Sequence, residues 1–249
     1  MVEIRVLIAA AGRGSRSGLS YPKTLFPFEG RPILHRLLST LSRYDSSPTV
    51  VVSPKGLPRI RNSLRMAGLK ANLVIQPVPL GMGDAVLCFE KSPTALGAEH
   101  ILLAWGDLAN LQDQTVATLV ENHLMAQNDF TFVTRLTQMP YTFVIRNCSN
   151  RVISVSESHE SQIIRPIQGE RDVGLFIFRP DPVFSMLRSD QPGKFGDRSG
   201  EHGFLYVIKH LVRAGLRVEA LPIAREEDLV SLNSLSDLSP STKSQNLSI

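Results

Sequence analysis

The sequence predicts an α/β protein built on a mixed, mostly parallel sheet with helices on both faces. Three observations carry that expectation. Short apolar, β-branched-rich runs alternate with longer stretches whose apolar residues recur every three or four positions, the βαβ pattern of a parallel sheet. The first run, IRVLI at 4–8, leads into a glycine-bearing loop rather than a two-residue hairpin turn. The 249 residues, 43% hydrophobic and 20% charged, suffice for one large domain with a full core or two small ones.

In order, strands are expected at 5–9 (RVLIA), 49–53 (TVVVS), 72–75 (NLVI), 101–105 (ILLAW) and 130–136 (FTFVTRL). Each reads as a run buried on both faces. Between them, 32–44, 57–69, 82–92 and 113–127 carry helical spacing. Beyond residue 136 the rhythm changes: TFVIRN (142–147) and RVISVSES (151–158) flank the turn-like NCSN and read as a hairpin. A strand at 172–178 (DVGLFIF), helical stretches around 182–188 and 203–214, and a strand at 216–221 complete the order. The expected organisation is one domain over 1–238 with halves 1–136 and 137–238, the second more antiparallel, and a polar tail at 239–249.

Composition excludes several classes. No apolar run reaches the roughly 18 residues of a membrane span, and MVEIRV reads as a first strand rather than a signal peptide, so a cytoplasmic location is expected. Cys88 and Cys148 cannot build a disulfide framework or a thiolate metal site alone. The six histidines are scattered without zinc-ligand spacing, and no Gly-x-Ser-x-Gly elbow is present. Residues 1–70 hold 12 Lys/Arg against 3 Asp/Glu, a balance suited to attracting a polyanion such as a nucleoside triphosphate. Most of the helix arginines in that segment, Arg36, Arg43, Arg59, Arg61 and Arg65, are expected only to solvate helix faces. The segment lacks the interleaved aromatics of a nucleic-acid groove, so neither nucleic acid nor membrane is expected as a partner.

The loop after the first strand, AAAGRGSRSGLSYPK at 9–23, is the most informative stretch. A dinucleotide fingerprint needs a third glycine and a helix running out of the motif; Ser17 stands at that position, and Gly18, Ser20 and Pro22 oppose a helix. A P-loop needs glycine directly before its lysine, and Pro22 precedes Lys23. There remains a long glycine-bearing loop whose backbone N–H groups, Arg16 and Lys23 can face one anion.

The spacing Ala10-Ala11-Gly12-x-Gly14-x-Arg16 with Pro22-Lys23 after it, extended by EGRPIL at 29–34, resembles the signature loop of sugar-1-phosphate nucleotidyltransferases. The uridylyltransferase domain of N-acetylglucosamine-1-phosphate uridylyltransferase is the nearest pattern. QPVPLGMGDAV (76–86), LLAWGDL (102–108), YTFVIRNCSNRVISVSES (141–158), DVGLFIF (172–178), GEHGFLYVI (200–208) and LVSLNSLSDL (229–238) resemble its later motifs in order. The resemblance covers roughly residues 4–238 and implies a nucleotide-diphospho-sugar transferase fold of the GT-A-like kind. The halves are then nucleotide-binding (1–136) and acceptor-binding (137–238).

The resemblance implies an Mg²⁺-dependent nucleotidyltransferase of nucleotide-sugar biosynthesis. It would transfer a nucleoside monophosphate from a triphosphate, UTP first among them, to a phosphorylated acceptor. Its catalytic residues would be Arg16, Lys23 and Asp107. Nucleotide contacts would come from Ala9, Ala10, Ala11, Gly12, Gly14, Arg16, Lys23, Gln76, Gly81, Met82, Trp105 and Gly106. Gln76 would read a pyrimidine edge with both a donor and an acceptor. Asp107 and Asn233 would hold Mg²⁺, and Thr142, Glu157 and Asp172 would face the acceptor. Read without the resemblance, Arg16 is also a solvated loop cation, Asp107 also a turn or helix-cap residue, and Asn233 also a cap.

This chain departs from the family pattern at Met82 (threonine), which bears on the base, and at Thr142 (glycine), Phe143 (arginine) and Asp172 (asparagine), which speak against N-acetylglucosamine-1-phosphate as acceptor. The sequence carries no left-handed β-helix repeats, so no acetyltransferase activity is expected. Two alternatives stand beside this reading: a cytidylyl- or thymidylyltransferase acting on another phosphorylated alcohol or sugar, and a non-catalytic nucleotide-sensing homologue.

Overall fold

The computed structural model describes residues 2–12, 18–158, 160 and 164–232. The first strand, β1 (Ile4–Ala10), lies mid-sheet because its central residues Val6, Leu7 and Ile8 are apolar on both faces and fully buried. It pairs in parallel with β4 (Thr49–Val52) on one side and β6 (His100–Trp105) on the other, and β5 (Asn72–Ile75) adds to β4. The remaining strands are β7 (Phe130–Gln138), β10 (Gln168–Phe178) and β11 (Val218–Leu221). The seven run in the order β11-β7-β10-β6-β1-β4-β5, with β10 antiparallel to both β6 and β7.

From β1 the chain builds outward through β4 and β5, then returns to place β6 on β1's other side. That reversal makes the carboxyl ends of β1 and β6 a switch point, where the loops leave in opposite directions and a cleft opens.

Alternation along each strand feeds two apolar layers. Val6, Ile8, Leu102 and Ala104 pack with α1 (Ile33–Leu41), α2 (Leu57–Ala67) and α4 (Asp113–Ala126). Leu7, Leu103 and Phe176 pack with α3 (Met82–Glu90), α5 (Pro180–Arg188) and α6 (Tyr206–Arg213). The second layer is aromatic: the Phe176 and Phe204 rings meet edge-on at 5.2 Å between centroids.

The expected strands and helices are present, with ends shifted by a few residues. The segment from Lys23 to Pro32, between the expected loop at 9–23 and the expected helix at 32–44, carries local structure of its own. Lys23–Leu25 forms a 3₁₀ turn, and β2 (Pro27–Phe28) pairs with β3 (Arg31–Pro32) as a minimal hairpin. Arg36, read as a solvated helix cation, is a clamp: its guanidinium donates to Ala109 O (3.0 Å) and Asn110 Oδ1 (2.7 Å). Arg59 likewise donates to Ser20 O at 2.8 Å, tying α2 to the first loop.

Outside the main sheet, β8 (Thr142–Arg146) and β9 (Val152–Glu157) form the expected hairpin, with Asn147 Oδ1 accepting from Arg151 N at 2.9 Å across the turn. The C-terminal segment is anchored by Asp228, which is fully buried. Its carboxylate accepts from Gln112 N (2.8 Å), Thr115 Oγ1 (2.7 Å) and Arg225 N (2.8 Å), capping α4 from far along the chain. That anchor sets Ser231 opposite Leu108 as an antiparallel bridge.

Candidate active site

A cavity of about 810 Å³ opens at the switch point. Its walls are the ends of β1 and β6, the loop leading into α3, the β8–β9 hairpin, and the segment before α6. Ala9, Ala10, Ala11 and Gly12 form one edge. Among the described residues, a Cβ on Gly12 would meet nothing within 4 Å, so their packing does not explain the glycine there. Gly14 and Arg16 lie outside the described residues.

Gly106 closes the gap between the two central strands. Its amide donates to Ala9 O at 2.9 Å, and a Cβ would stand 2.8 Å from that same oxygen. Next to it, Asp107 is mostly buried, and its carboxylate accepts a charged hydrogen bond from Lys23 Nζ. Lys23 is aimed by the 3₁₀ turn behind Pro22, where Leu25 N donates to Pro22 O at 2.9 Å. The Asp107 backbone oxygen accepts from Leu232 N at 3.1 Å. The last described residues therefore run alongside Asp107; Asn233, the next residue, lies outside them.

The loop into α3 is held by the segment before α6. Gly83 N donates to His202 O (3.0 Å), and His202 N donates to Leu80 O. Gly81 has φ +113°, and a Cβ there would lie 2.4 Å from His202 O. Gln76, expected to show a base both a donor and an acceptor, does not. Its Nε2 donates to Asp84 Oδ2 (2.8 Å) and to Gly81 O (3.0 Å). Both amide hydrogens are consumed inside the loop, leaving Oε1 as the polar atom Gln76 can offer. Met82 lines the same wall.

Trp105 also faces the cavity, but its indole packs against β10. Gly174, at φ +83°, sits within a bulge of β10, and a Cβ there would be 2.7 Å from Trp105 Cδ2. Trp105 Nε1 is buried and has no hydrogen-bond partner among the described residues.

On the opposite side, Thr142 and Glu157 are register partners in the hairpin and both line the cavity. Asp172 does not reach it: the residue is 1% exposed and sits behind Thr142, whose hydroxyl donates to its Oδ1. Asp172, expected to face the acceptor, instead lies off the wall and supports Thr142 from behind. Burial pushes the Asp172 carboxyl up, and its Oδ2 has no hydrogen-bond partner among the described residues. Glu157 is pushed up to about 7, first by burial and then by the negative charges of Asp172 and Glu160.

Sequence reading missed Asp84, Tyr141 and Arg171. The Arg171 guanidinium stands 4.3 Å over the Tyr141 ring and donates to its hydroxyl at 2.8 Å. Tyr141 directly precedes the paired hairpin strand, and Asp84 falls within the glycine-bearing segment 76–86; both were legible as positions but not as partners.

The fold and cavity define a class: a doubly wound α/β domain whose cleft lies at the carboxyl ends of its strands, the arrangement of nucleotide-binding domains. The chain belongs to the MobA-like NTP transferase domain family, which matches residues 6–175. It is 27% identical over 235 residues to the bifunctional protein GlmU of Pelotomaculum thermopropionicum, covering 93% of this chain and 50% of that protein. Against the bifunctional protein GlmU of Mycobacterium ulcerans the identity is 28% over 188 residues, covering 73% and 38%. The chain spans about half the length of the curated relatives it matches. A solved structure of a putative glucose-1-phosphate thymidylyltransferase from Bacillus anthracis shares the fold, with a TM-score of 0.68 at 17% identity over 87% of this chain and 85% of that one.

Proposed function

We propose that this domain transfers a nucleoside monophosphate from a triphosphate to a sugar-1-phosphate or similar phosphorylated acceptor, releasing pyrophosphate. The Lys23–Asp107 pair at the switch point is the observation that carries the reading. An acceptor phosphate oxygen would form the new bond to the α-phosphorus while the bond to the β-phosphate oxygen breaks, its electron pair leaving with pyrophosphate. The attacking oxygen is already anionic, so the protein's work is positioning and charge stabilisation rather than proton abstraction. Lys23 has three N–H donors and a flexible stem, and can turn from Asp107 to phosphate oxygens at the reacting centre. The open backbone at Gly12 would let the triphosphate approach the first loop, with Gly14 and Arg16 contributing by resemblance.

The donor set fits a hard divalent cation. Among the described residues no three His, Cys, Asp or Glu side chains converge. A cation at Asp107 would therefore be held by that carboxylate, Asn233, phosphate oxygens and water, a pattern Mg²⁺ accepts. When bound, Mg²⁺ would supply charge neutralisation across the phosphates.

UTP leads among the triphosphates because the resemblance is to a uridylyltransferase and the Gln76 oxygen suits a ring N–H, which uracil and thymine carry at N3 and guanine at N1; dTTP is the next candidate. Glu157 and Thr142 face the acceptor side. The test is pyrophosphate release with each of UTP, dTTP, CTP, ATP and GTP across a panel of sugar-1-phosphates, in Mg²⁺ and in EDTA. Acceptor-dependent release that requires Mg²⁺ and Lys23 supports the reading. Triphosphate binding without release under any acceptor would favour a nucleotide-sensing role instead.

A further inference from the structure

Asp84 stands in the first turn of α3, where an acidic side chain is ordinarily placed for the helix dipole alone. Here it has a second partner. Gln76, the residue after β5, is 2% exposed and gives one amide hydrogen to Asp84 Oδ2 at 2.8 Å and the other to Gly81 O at 3.0 Å. A glutamine amide has a donor end and an acceptor end of nearly equal size, and in a neutral pocket either can face a ligand. This one cannot turn over. Reversal would place the amide oxygen against a carboxylate and a carbonyl and would take the Gln76 donor away from the Asp84 carboxylate.

We propose that Asp84 is a positioning residue that sets base specificity: by holding the Gln76 amide, it commits Oε1 to the cavity and selects a base with a hydrogen on its ring nitrogen. The inference rests on the cavity being a nucleotide site, as proposed above. Uracil and thymine carry N3–H and meet Oε1 directly. Cytosine carries a lone pair at N3, which Oε1 repels; it reaches the oxygen only through its exocyclic amine, with the ring displaced along its edge. Met82, beside Gly81 on the cavity wall, has no hydroxyl with which to adapt to that displacement.

The test is equilibrium binding of UTP, dTTP and CTP to the full chain, wild type against Asp84→Ala and Asp84→Asn, with ligand-free melting temperatures as the control for folding. Wild type should bind UTP about tenfold or more tightly than CTP. Asp84→Ala frees the amide to turn, so the UTP-to-CTP ratio should collapse to within about threefold of unity, with CTP binding gaining. Asp84→Asn keeps an oxygen facing the Gln76 amide and should retain most of the discrimination. A purely structural Asp84 predicts the opposite: Asp84→Ala weakens both nucleotides alike and leaves the ratio unchanged, which overturns the proposal. Wild-type preference for CTP overturns it as well while leaving the nucleotide site standing. If no triphosphate binds wild type, the nucleotide reading falls and takes this inference with it.

Discussion

Lys23 and Asp107 are 84 positions apart in sequence and meet as a hydrogen-bonded ion pair at the mouth of the β1–β6 switch point. They arrive on separate elements. Pro22 and the 3₁₀ turn deliver the lysine, and the end of β6 delivers the carboxylate. In the proposed reaction the pair leaves a cation next to an oxygen donor where the triphosphate and the acceptor phosphate would meet.

Lys23→Ala should lower turnover by on the order of 10²–10³, the usual loss when one preorganised electrostatic contact is removed. The change should fall mainly on kcat, because the contact strengthens as charge moves onto the leaving pyrophosphate. Asp107→Ala should abolish turnover while retaining much of the nucleotide affinity. Steady-state kinetics beside titration of UTP separates the two effects, and equal rates in EDTA and Mg²⁺ would remove the metal from Asp107.

Three glycines should respond differently to alanine. Gly12→Ala meets open space among the described residues, so the ligand-free protein should melt as wild type does while losing the stabilisation UTP and Mg²⁺ provide. Gly81→Ala places a Cβ 2.4 Å from His202 O at a positive φ, and Gly106→Ala places one 2.8 Å from Ala9 O. Each should destabilise the fold by about 1–3 kcal/mol. Thermal melts with and without nucleotide check all three, and undiminished UTP stabilisation of Gly12→Ala would show that this loop holds no triphosphate.

Glu157 should make the protein less stable as pH rises. Its folded pKa, about 7, lies above the ordinary carboxylate value of 4.5. The folded state therefore holds a proton that the unfolded chain has released between those values. The contribution is fully present below about pH 4.5 and is lost as pH rises through about 7. Glu157→Gln should flatten that decline in denaturant midpoints measured from about pH 5 to 8. Asp172→Asn, which removes a buried carboxyl but keeps an oxygen for Thr142, should raise stability at neutral pH.

His123 also titrates away from its ordinary range, but its effect on stability has the opposite sign. Its ring is fully buried between Thr131 Oγ1 at 2.8 Å and His100 Nδ1 at 2.9 Å, and burial lowers its pKa to about 3. Below the ordinary histidine value of 6.5 the unfolded chain takes up a proton that the folded ring refuses, so stability falls as pH drops from there toward 3. His123→Asn should show a shallower loss than wild type between about pH 7 and 5, whatever its starting stability. An equally steep loss would mean the ring is protonated in place.

Local pattern was enough for the element order, the βαβ rhythm of the first half and the importance of the 9–23 loop, because those depend on period and on backbone rules for glycine and proline. The resemblance to sugar-1-phosphate nucleotidyltransferases, rather than local pattern, located Gln76, Gly81, Asp107, Thr142 and Glu157 on the segments that line the cavity. Packing between distant elements settled what each of them faces. Hydrogen-bond donors are consumed by whichever acceptor packs nearest, and for Gln76 that was Asp84 on the next helix, not visible from either residue's neighbours in sequence. Asp172 stands behind Thr142 rather than on the wall through a hydroxyl contact from the β8–β9 hairpin, and just beyond it the β10 bulge at Gly174 lies against the Trp105 ring. Strand periodicity predicts faces only while the register holds, and a bulge breaks the register where the site is built.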